Sequence, residues 1–455
     1  MIKGWPFRTI VKKWIGRGSI WHHCRSGTAV GSDCFIPDGQ PPTLGGSAAE
    51  GATDSTLEPK IEAAAGRRSC RGCRTPVCRG LNPARIVMLR VAFDDEIFTA
   101  QLYGGVSRAF TELSEALAEE PGVVPLLPFP FTANRHLAAS LVFRGRVLGG
   151  GRRIPGLRSL MRPINRRAIA ATLARSQADI LHATWYNPAL AAAEVPLVVT
   201  VHDMVPELMP GSVDGVAKAL HGGKLALVHR AHRVIAVSAT TAADLCRLSG
   251  LPQDSVRVIY HGITDRLRWR PVNGRPPDLP GSYLLFVGRR GGYKNFAGIA
   301  PSVADLLRRN VQLHLLCVGG GPFRAKELEP FVLAGVARRV QRIDADDRLL
   351  AACYSHAVAL LFPSLYEGFG MPLLEAMINR CPVICSNRGA LVEIGADAPR
   401  YFDPAEPDEI IELVEELSRD RAFRSAQVAK SLSRAADFSW RRAAAAHAAL
   451  YRELV

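Results

Sequence analysis

The 455-residue chain contains no run of about 18 uninterrupted apolar residues, the length a helix needs to cross a bilayer. Its two most apolar windows, P-A-L-A-A-A-E-V-P-L-V-V-T-V and L-L-A-A-C-Y-S-H-A-V-A-L-L-F, are interrupted by Glu194 and His356. The first 30 residues lack the compact apolar core and small-residue cleavage site of a secretory leader. A soluble or peripherally bound protein is expected, cytoplasmic or resting on the inner face of the cytoplasmic membrane. Aromatic residues amount to only 7% and are not interleaved with Lys and Arg, so the stacking strip of a nucleic-acid binder is missing. A fourth zinc ligand is missing too. Cys70, Cys73 and Cys78 offer three thiolates, but the next histidine is His136, too far along the chain to complete the set. Cys246, Cys317, Cys353, Cys381 and Cys385 sit in apolar contexts and read as buried thiols of a reducing compartment.

What is present is ordinary globular material with an unusual charge. Hydrophobic residues make up 48% and charged residues 22%, enough for sizeable cores, and the length calls for two or three domains. The formal charge of +15 suits an anionic partner: nucleic acid, acidic lipid headgroups or a phosphorylated substrate. An arginine-rich coding bias would produce the same surplus. Residues 1–87 supply +7 of it and show no sustained periodicity. Within them Ile2, Trp5, Ile10, Val11, Trp14 and Ile15 alternate with Lys3, Arg8, Lys12 and Lys13, a basic amphipathic piece that suits an anionic membrane surface. Regular structure begins at R-I-V-M-L-R-V-A-F-D, so the preceding segment is expected to be a disordered extension and Met88 the natural start.

From there, short apolar runs alternate with helical patterns, the signature of parallel sheets with crossover helices. I-V-M-L-R-V-A-F, D-I-L-H-A-T, L-V-V-T-V-H-D, R-V-I-A-V-S and V-R-V-I-Y-H-G are strands of a first α/β domain over 88–270, with helices at Val106 to Glu119 and Thr240 to Ser249. P-V-N-G-R-P-P-D-L-P-G (271–281) has the composition of a linker. Y-L-L-F-V-G, Q-L-H-L-L-C-V-G-G-G, A-V-A-L-L-F-P-S and C-P-V-I-C-S-N open a second domain over 282–437, and 438–455 form a closing helix that packs back across both halves. Two doubly wound domains would set the carboxyl ends of their strands across one cleft, where such sheets bind ligands.

The candidate residues cluster at those strand ends. Gly288-Arg289-Arg290-Gly291-Gly292-Tyr293-Lys294-Asn295 combines permissive backbone with a guanidinium fork and an ammonium, a pairing suited to phosphate oxygens. In E-G-F-G-M-P-L-L-E (367–375), Pro372 suits the first helical position, which makes Gly368, Phe369 and Gly370 the entry loop to a positive helix end. Glu375 would then accept hydroxyl hydrogens from a diol such as a ribose, and Glu367 from a sugar. Gly104 and Gly105, entering a helix, form a second close-approach loop, and His202 ends a strand where it can hydrogen-bond or shuttle a proton. Asp344-x-Asp346 has the form of a metal-binding pair but precedes R-L-L-A-A-C-Y and reads as helix capping.

F-P-S-L-Y-E-G-F-G-M-P-L-L-E-A-M resembles the E-x7-E signature of the retaining nucleotide-sugar glycosyltransferases of family 4. F-D-D-E-I-F-T-A-Q-L-Y-G-G-V-S-R, V-H-D, A-V-S-A-T-T, G-R-R-G-G-Y-K-N, S-N-R-G-A-L-V-E-I and the closing F-S-W helix extend the resemblance over residues 88–455. It implies the GT-B fold, two Rossmann-like domains facing across a cleft. It also implies that Arg290 and Lys294 bind the donor diphosphate, with Gly288 and Asn295 beside them. Glu367 would touch the donor sugar, Glu375 the nucleotide ribose, and His202 would lie near the transferred sugar. Gly104 and Gly105 would line the acceptor side. No metal or other cofactor is expected, and the partners are a nucleotide-sugar donor and a glycan or lipid-linked saccharide, not nucleic acid. A hexosyltransferase of cell-surface polysaccharide or lipopolysaccharide synthesis, with mannose from GDP-mannose as the first choice, is the expectation. The alternatives are a catalytically inactive relative and a basic nucleic-acid-binding protein. Where the family often has proline, this chain has Val392, before Glu393, and a local loop change is expected there.

Overall fold

The computed structural model describes residues 88–152, 154–212, 221–264, 267–268 and 276–455. The expectations for the first 87 residues, including the cysteine trio and the basic amphipathic piece, lie outside the described residues, as do residues 271–275 of the 271–281 stretch.

Two six-stranded parallel sheets organise the chain from Leu89 onward. The first contains β1 (Leu89–Phe93), β2 (Val123–Leu126), β5 (Ile180–Ala183), β6 (Leu197–Val201), β7 (Arg233–Ala236) and β8 (Val256–Val258), in the order β2-β1-β5-β6-β7-β8. Between β2 and β5 lies a small pair, β3 (Phe131–Thr132) and β4 (Arg146–Val147). The second sheet contains β9 (Ser282–Val287), β10 (Leu313–Val318), β11 (Val340–Ile343), β12 (Ala359–Phe362), β13 (Val383–Ser386) and β14 (Arg400–Phe402), in the order β11-β10-β9-β12-β13-β14. Each is doubly wound. The strand order reverses between β1 and β5 in one sheet and between β9 and β12 in the other, the switch points where such sheets take ligands.

The central strands are buried on both faces, which is why they read as continuous apolar runs instead of alternating ones. Three edge strands had no such run. V-V-P-L carries Pro125, tolerated because β2 is an edge, and β11 and β14 are short and half-buried. Helices cover the faces: Gly105–Ala118 buries Phe110, Leu113 and Leu117, and Phe296–Arg309 buries Ile299, Val303 and Leu307. The helix Trp440–Arg452 returns to the first sheet, where Trp440, Ala444, Leu450 and Tyr451 join its core. Its Tyr451 hydroxyl lies 2.6 Å from His182 Nδ1 on β5. None of the described helices is long and apolar enough to cross a membrane.

Candidate functional site

The loops after β9 and β12 flank the switch point of the second sheet and meet there. The Leu365 amide donates to the Tyr293 carbonyl at 2.8 Å, tying one loop to the other. That contact brings Lys294 Nζ to 2.5 Å from Glu367 Oε1. The ammonium also lies 5.3 Å from the centre of the Phe362 ring. Burial works against the Lys294 charge, but the adjoining Glu367 outweighs it and holds the ammonium above the ordinary lysine range.

Eight residues further on, Glu375 sits on the second turn of the helix Met371–Ile378. Gly370 caps this helix at φ +97°, in the left-handed region that favours glycine, and Pro372 follows at its second position, one later than expected. Tyr354 donates its hydroxyl to Glu375 at 2.8 Å, and Arg108 Nη1 stands 3.7 Å from the other carboxylate oxygen. Burial raises the Glu375 pKa above the ordinary carboxylate range, opposed by Arg108 and Tyr354.

The first domain supplies the opposite wall. A Cβ placed on Gly368 would fall 1.8 Å from the His202 carbonyl, so the two backbones touch where only glycine fits. Ser238 and Thr241 donate their hydroxyls to the Gly368 carbonyl at 2.6 and 3.0 Å. Glu393 reaches across as well, accepting from the amides of Ala239 and Thr240 at 2.6 and 2.9 Å and so capping a helix of the other domain. At the other side of the cleft, Arg108 pairs with Asp347, and the Tyr103 hydroxyl donates to the same carboxylate at 2.8 Å. Arg108 Nη1 is buried with no hydrogen-bond partner among the described residues. Beside β1, a cavity of about 420 Å³ is walled by Ile169, Leu173, Leu181 and Leu190, with Glu96 and Asn187 at its polar end.

Residues 103–266 match the model of Glycosyltransferase Family 4, and residues 267–435 match Glycosyl transferases group 1. The chain belongs to glycosyltransferase family 4. This transferase is 28% identical over 315 residues to the O-antigen chain mannosyltransferase B of Escherichia coli, covering 65% of this chain and 80% of that one. It is also 28% identical over 284 residues to a glycogen synthase of Mycobacterium tuberculosis, covering 60% and 68%. In fold it is similar to Anabaena HepE, solved in complex with UDP and glucose, with a TM-score of 0.61, 17% identity, and 80% of this chain and 100% of that chain covered. Sucrose-phosphate synthase from Thermosynechococcus elongatus has a TM-score of 0.59 at 21% identity, covering 80% and 99%. The GT-B fold is thus established.

Of the residues singled out in the sequence, the fold of the transferase gathers Lys294, Glu367, Gly368, Gly370 and Glu375 around one switch point. Gly288 follows β9 at φ +105°, and Gly104 and Gly105 open the helix that carries Arg108. Four residues are placed differently from expectation. Arg290 donates to the carbonyls of Gly319, Gly321 and Pro322 at 2.9–3.1 Å and to Glu327 at 3.0 Å, stacking on Phe323, so it braces the next loop. Phe369 is buried against His261 and Phe438, anchoring its loop from behind. The His202 imidazole lies among Phe110, Trp185 and His261, and meets the cleft through its carbonyl. Burial, then the neighbouring histidines, hold it well below the ordinary histidine range and therefore neutral. The Asn295 side chain folds back over Gly298.

Asp346 accepts from the Leu349 amide at 2.8 Å, the capping role expected of it. Its neighbour Asp347 carries the contact to Arg108 that the sequence did not announce. The Val392 side chain is exposed, and Glu393 beside it makes the interdomain cap. Among the described residues there is no cluster of three or more metal-ligating side chains.

Proposed function

We propose that the chain transfers a hexose from a nucleotide-sugar donor to a growing glycan or lipid-linked saccharide, with retention of anomeric configuration and without a metal. Mannose from GDP-mannose is the first choice of donor, following the E. coli mannosyltransferase relative. The setting would be cell-surface polysaccharide or lipopolysaccharide synthesis on the cytoplasmic side of the membrane. The observation that carries this reading is the Lys294–Glu367 contact of 2.5 Å at the second switch point, with Glu375 on the helix that follows.

In this reading the donor diphosphate takes Lys294 and the amides of the Gly368–Gly370 turn. Glu375 holds the ribose hydroxyls and Glu367 a sugar hydroxyl. The bond from the anomeric carbon to the leaving phosphate breaks, and the acceptor oxygen bonds to the same face of that carbon. The acceptor proton passes to the departing phosphate. Preorganised positive charge beside the leaving diphosphate then provides most of the rate enhancement. The acceptor would approach from the first domain, past Gly104 and Gly105. The apolar-walled cavity beside β1 supports an acceptor with an apolar part.

A thermal-shift screen of nucleoside diphosphates and their sugars tests the reading. A ligand at 100 times its Kd stabilises by about 2.7 kcal/mol, a shift of a few degrees for a protein of this size. GDP and GDP-mannose should shift the melt most. A UDP-sugar shift instead would change the donor, and a shift by nucleic acid alone would overturn the transferase reading.

A further inference from the structure

Arg108 stands in the first turn of the helix Gly105–Ala118, and its guanidinium crosses to the second domain. One end of the fork is fully engaged. Nη2 donates to the Tyr103 hydroxyl at 2.7 Å and to Asp347. The other end is not: Nη1 is buried and has no hydrogen-bond partner among the described residues. It stands 3.7 Å from Glu375 Oε1, outside hydrogen-bond range. Glu375 is in the matching condition. Tyr354 donates to its Oε2 at 2.8 Å, while Oε1 accepts no hydrogen bond from the described residues.

The gap between these two atoms selects its occupant. Whatever lies there must accept from the guanidinium and donate to the carboxylate at once. A phosphate oxygen only accepts, and an ammonium only donates, but a hydroxyl does both. A hydroxyl oxygen about 2.8 Å from each atom is compatible with their 3.7 Å separation. The spacing is held firmly. Both side chains are about nine-tenths buried, and their far sides are anchored by Asp347 and Tyr354 of one helix, Asp347–His356. A buried charged donor without a partner is destabilising, so its retention in the cleft points to a ligand that completes it.

We propose that Arg108 is a ribose-binding residue: one ribose hydroxyl of the donor sits between Arg108 Nη1 and Glu375 Oε1, accepting from the first and donating to the second. The inference rests on the reading that Glu375 holds the ribose. It adds that the ribose is gripped from both domains, so nucleotide recognition is complete only when the two domains face each other. A water molecule would satisfy the same two atoms but would confer no preference for a ribonucleotide.

The test is calorimetric titration of the full chain with GDP and UDP and with their 2′-deoxy and 3′-deoxy forms, at about pH 7 and about pH 8.5. For whichever diphosphate binds, the wild type should bind one deoxy form at least about tenfold more weakly, the loss expected for a hydrogen bond to a charged group. In Arg108→Met and Arg108→Lys that ratio should fall to about twofold or less at both pH values, because an ammonium drawn to Asp347 has no second arm for the hydroxyl. The ratio is internal to each variant, so a general weakening of the cleft does not produce it. Arg108→Lys keeps a cation beside both carboxylates and carries the test if Arg108→Met does not fold. Selectivity restored at the higher pH would mean that the substitutions act through the charge on Glu375, and would overturn the proposal. So would a wild type indifferent to the deoxy forms, or variants as selective as the wild type. If the wild type binds neither GDP nor UDP, the transferase reading itself falls and takes this inference with it.

Discussion

The His202 carbonyl rests against Gly368, so closely that a Cβ there would sit 1.8 Å from its oxygen and 2.9 Å from Asp203 Cα. This contact joins the end of β6 in one domain to the turn that carries Glu367 in the other. Two doubly wound sheets can face each other in many ways, and this point of backbone contact selects one. Gly368→Ala is therefore expected to push the turn away from its wall. Ser238 and Thr241 hold the same turn by its carbonyl, so it cannot simply withdraw. A displacement of about 1 Å at a reacting centre costs about 10²-fold in rate. Steady-state kinetics should show that loss while circular dichroism shows a folded protein.

Removing Lys294 separates stability from turnover. Lys294→Met leaves Glu367 buried without its ion-pair partner, so the variant should lose both stability and rate. The double variant Lys294→Met/Glu367→Gln removes the orphaned charge. Its melting temperature should recover towards that of the wild type, while turnover stays depressed by about 10²–10³-fold, the usual cost of losing a preorganised charge at the leaving group. Thermal melts and kcat on the same preparations check both parts.

Arg108 and Asp347 pair across the cleft but are not equivalent. The Arg108 side chain is almost wholly buried and also faces Glu375, whereas the Asp347 side chain is 44% exposed. Asp347→Asn should change nucleoside diphosphate affinity by no more than about 1 kcal/mol. Arg108→Met should weaken it more, because Glu375 loses the nearest charge opposing its protonation. Calorimetric titration of both variants would show the asymmetry.

The histidines beneath the cleft set an acid limit on stability. Burial, reinforced by the neighbouring His447, pushes His261 down to about 3, and burial pushes His447 down to about 4. His182 and His202 are held well below the ordinary range for the same first reason. Each keeps its proton off in the folded state but gains one in the unfolded chain near pH 6.5. The unfolded state therefore binds more protons below that pH, and stability falls as pH drops from about 6.5 towards 4, by up to ~1.4 kcal/mol per pH unit for each such histidine. Denaturant midpoints across that range should decline, and His261→Phe should flatten the decline.

The sequence made the centres of both sheets legible because buried parallel strands are continuous apolar runs. It hid β2, β11 and β14 because edge strands bury little. The E-G-F-G-M-P turn and its two acids could be read from glycine, proline and carboxylate spacing alone. Arg290 could not be placed, since a guanidinium beside a glycine loop looks the same whether it faces a ligand or, as here, the Gly319–Pro322 carbonyls. Arg108, Asp347 and Glu393 were missed for another reason. Each acts across the cleft on a residue more than 150 positions away, and nothing local in the chain records such a partner.

The most direct test is the rate of nucleoside diphosphate release from the sugar nucleotide, measured at limiting and saturating donor for the wild type, Lys294→Ala and Glu375→Ala. The account predicts that Glu375→Ala acts mainly on donor KM, by about tenfold or more, as expected for lost hydrogen bonds to a charged group. Lys294→Ala should lower kcat by at least about 10²-fold. If both variants release the diphosphate like the wild type, the donor does not bind at this switch point and the account is wrong.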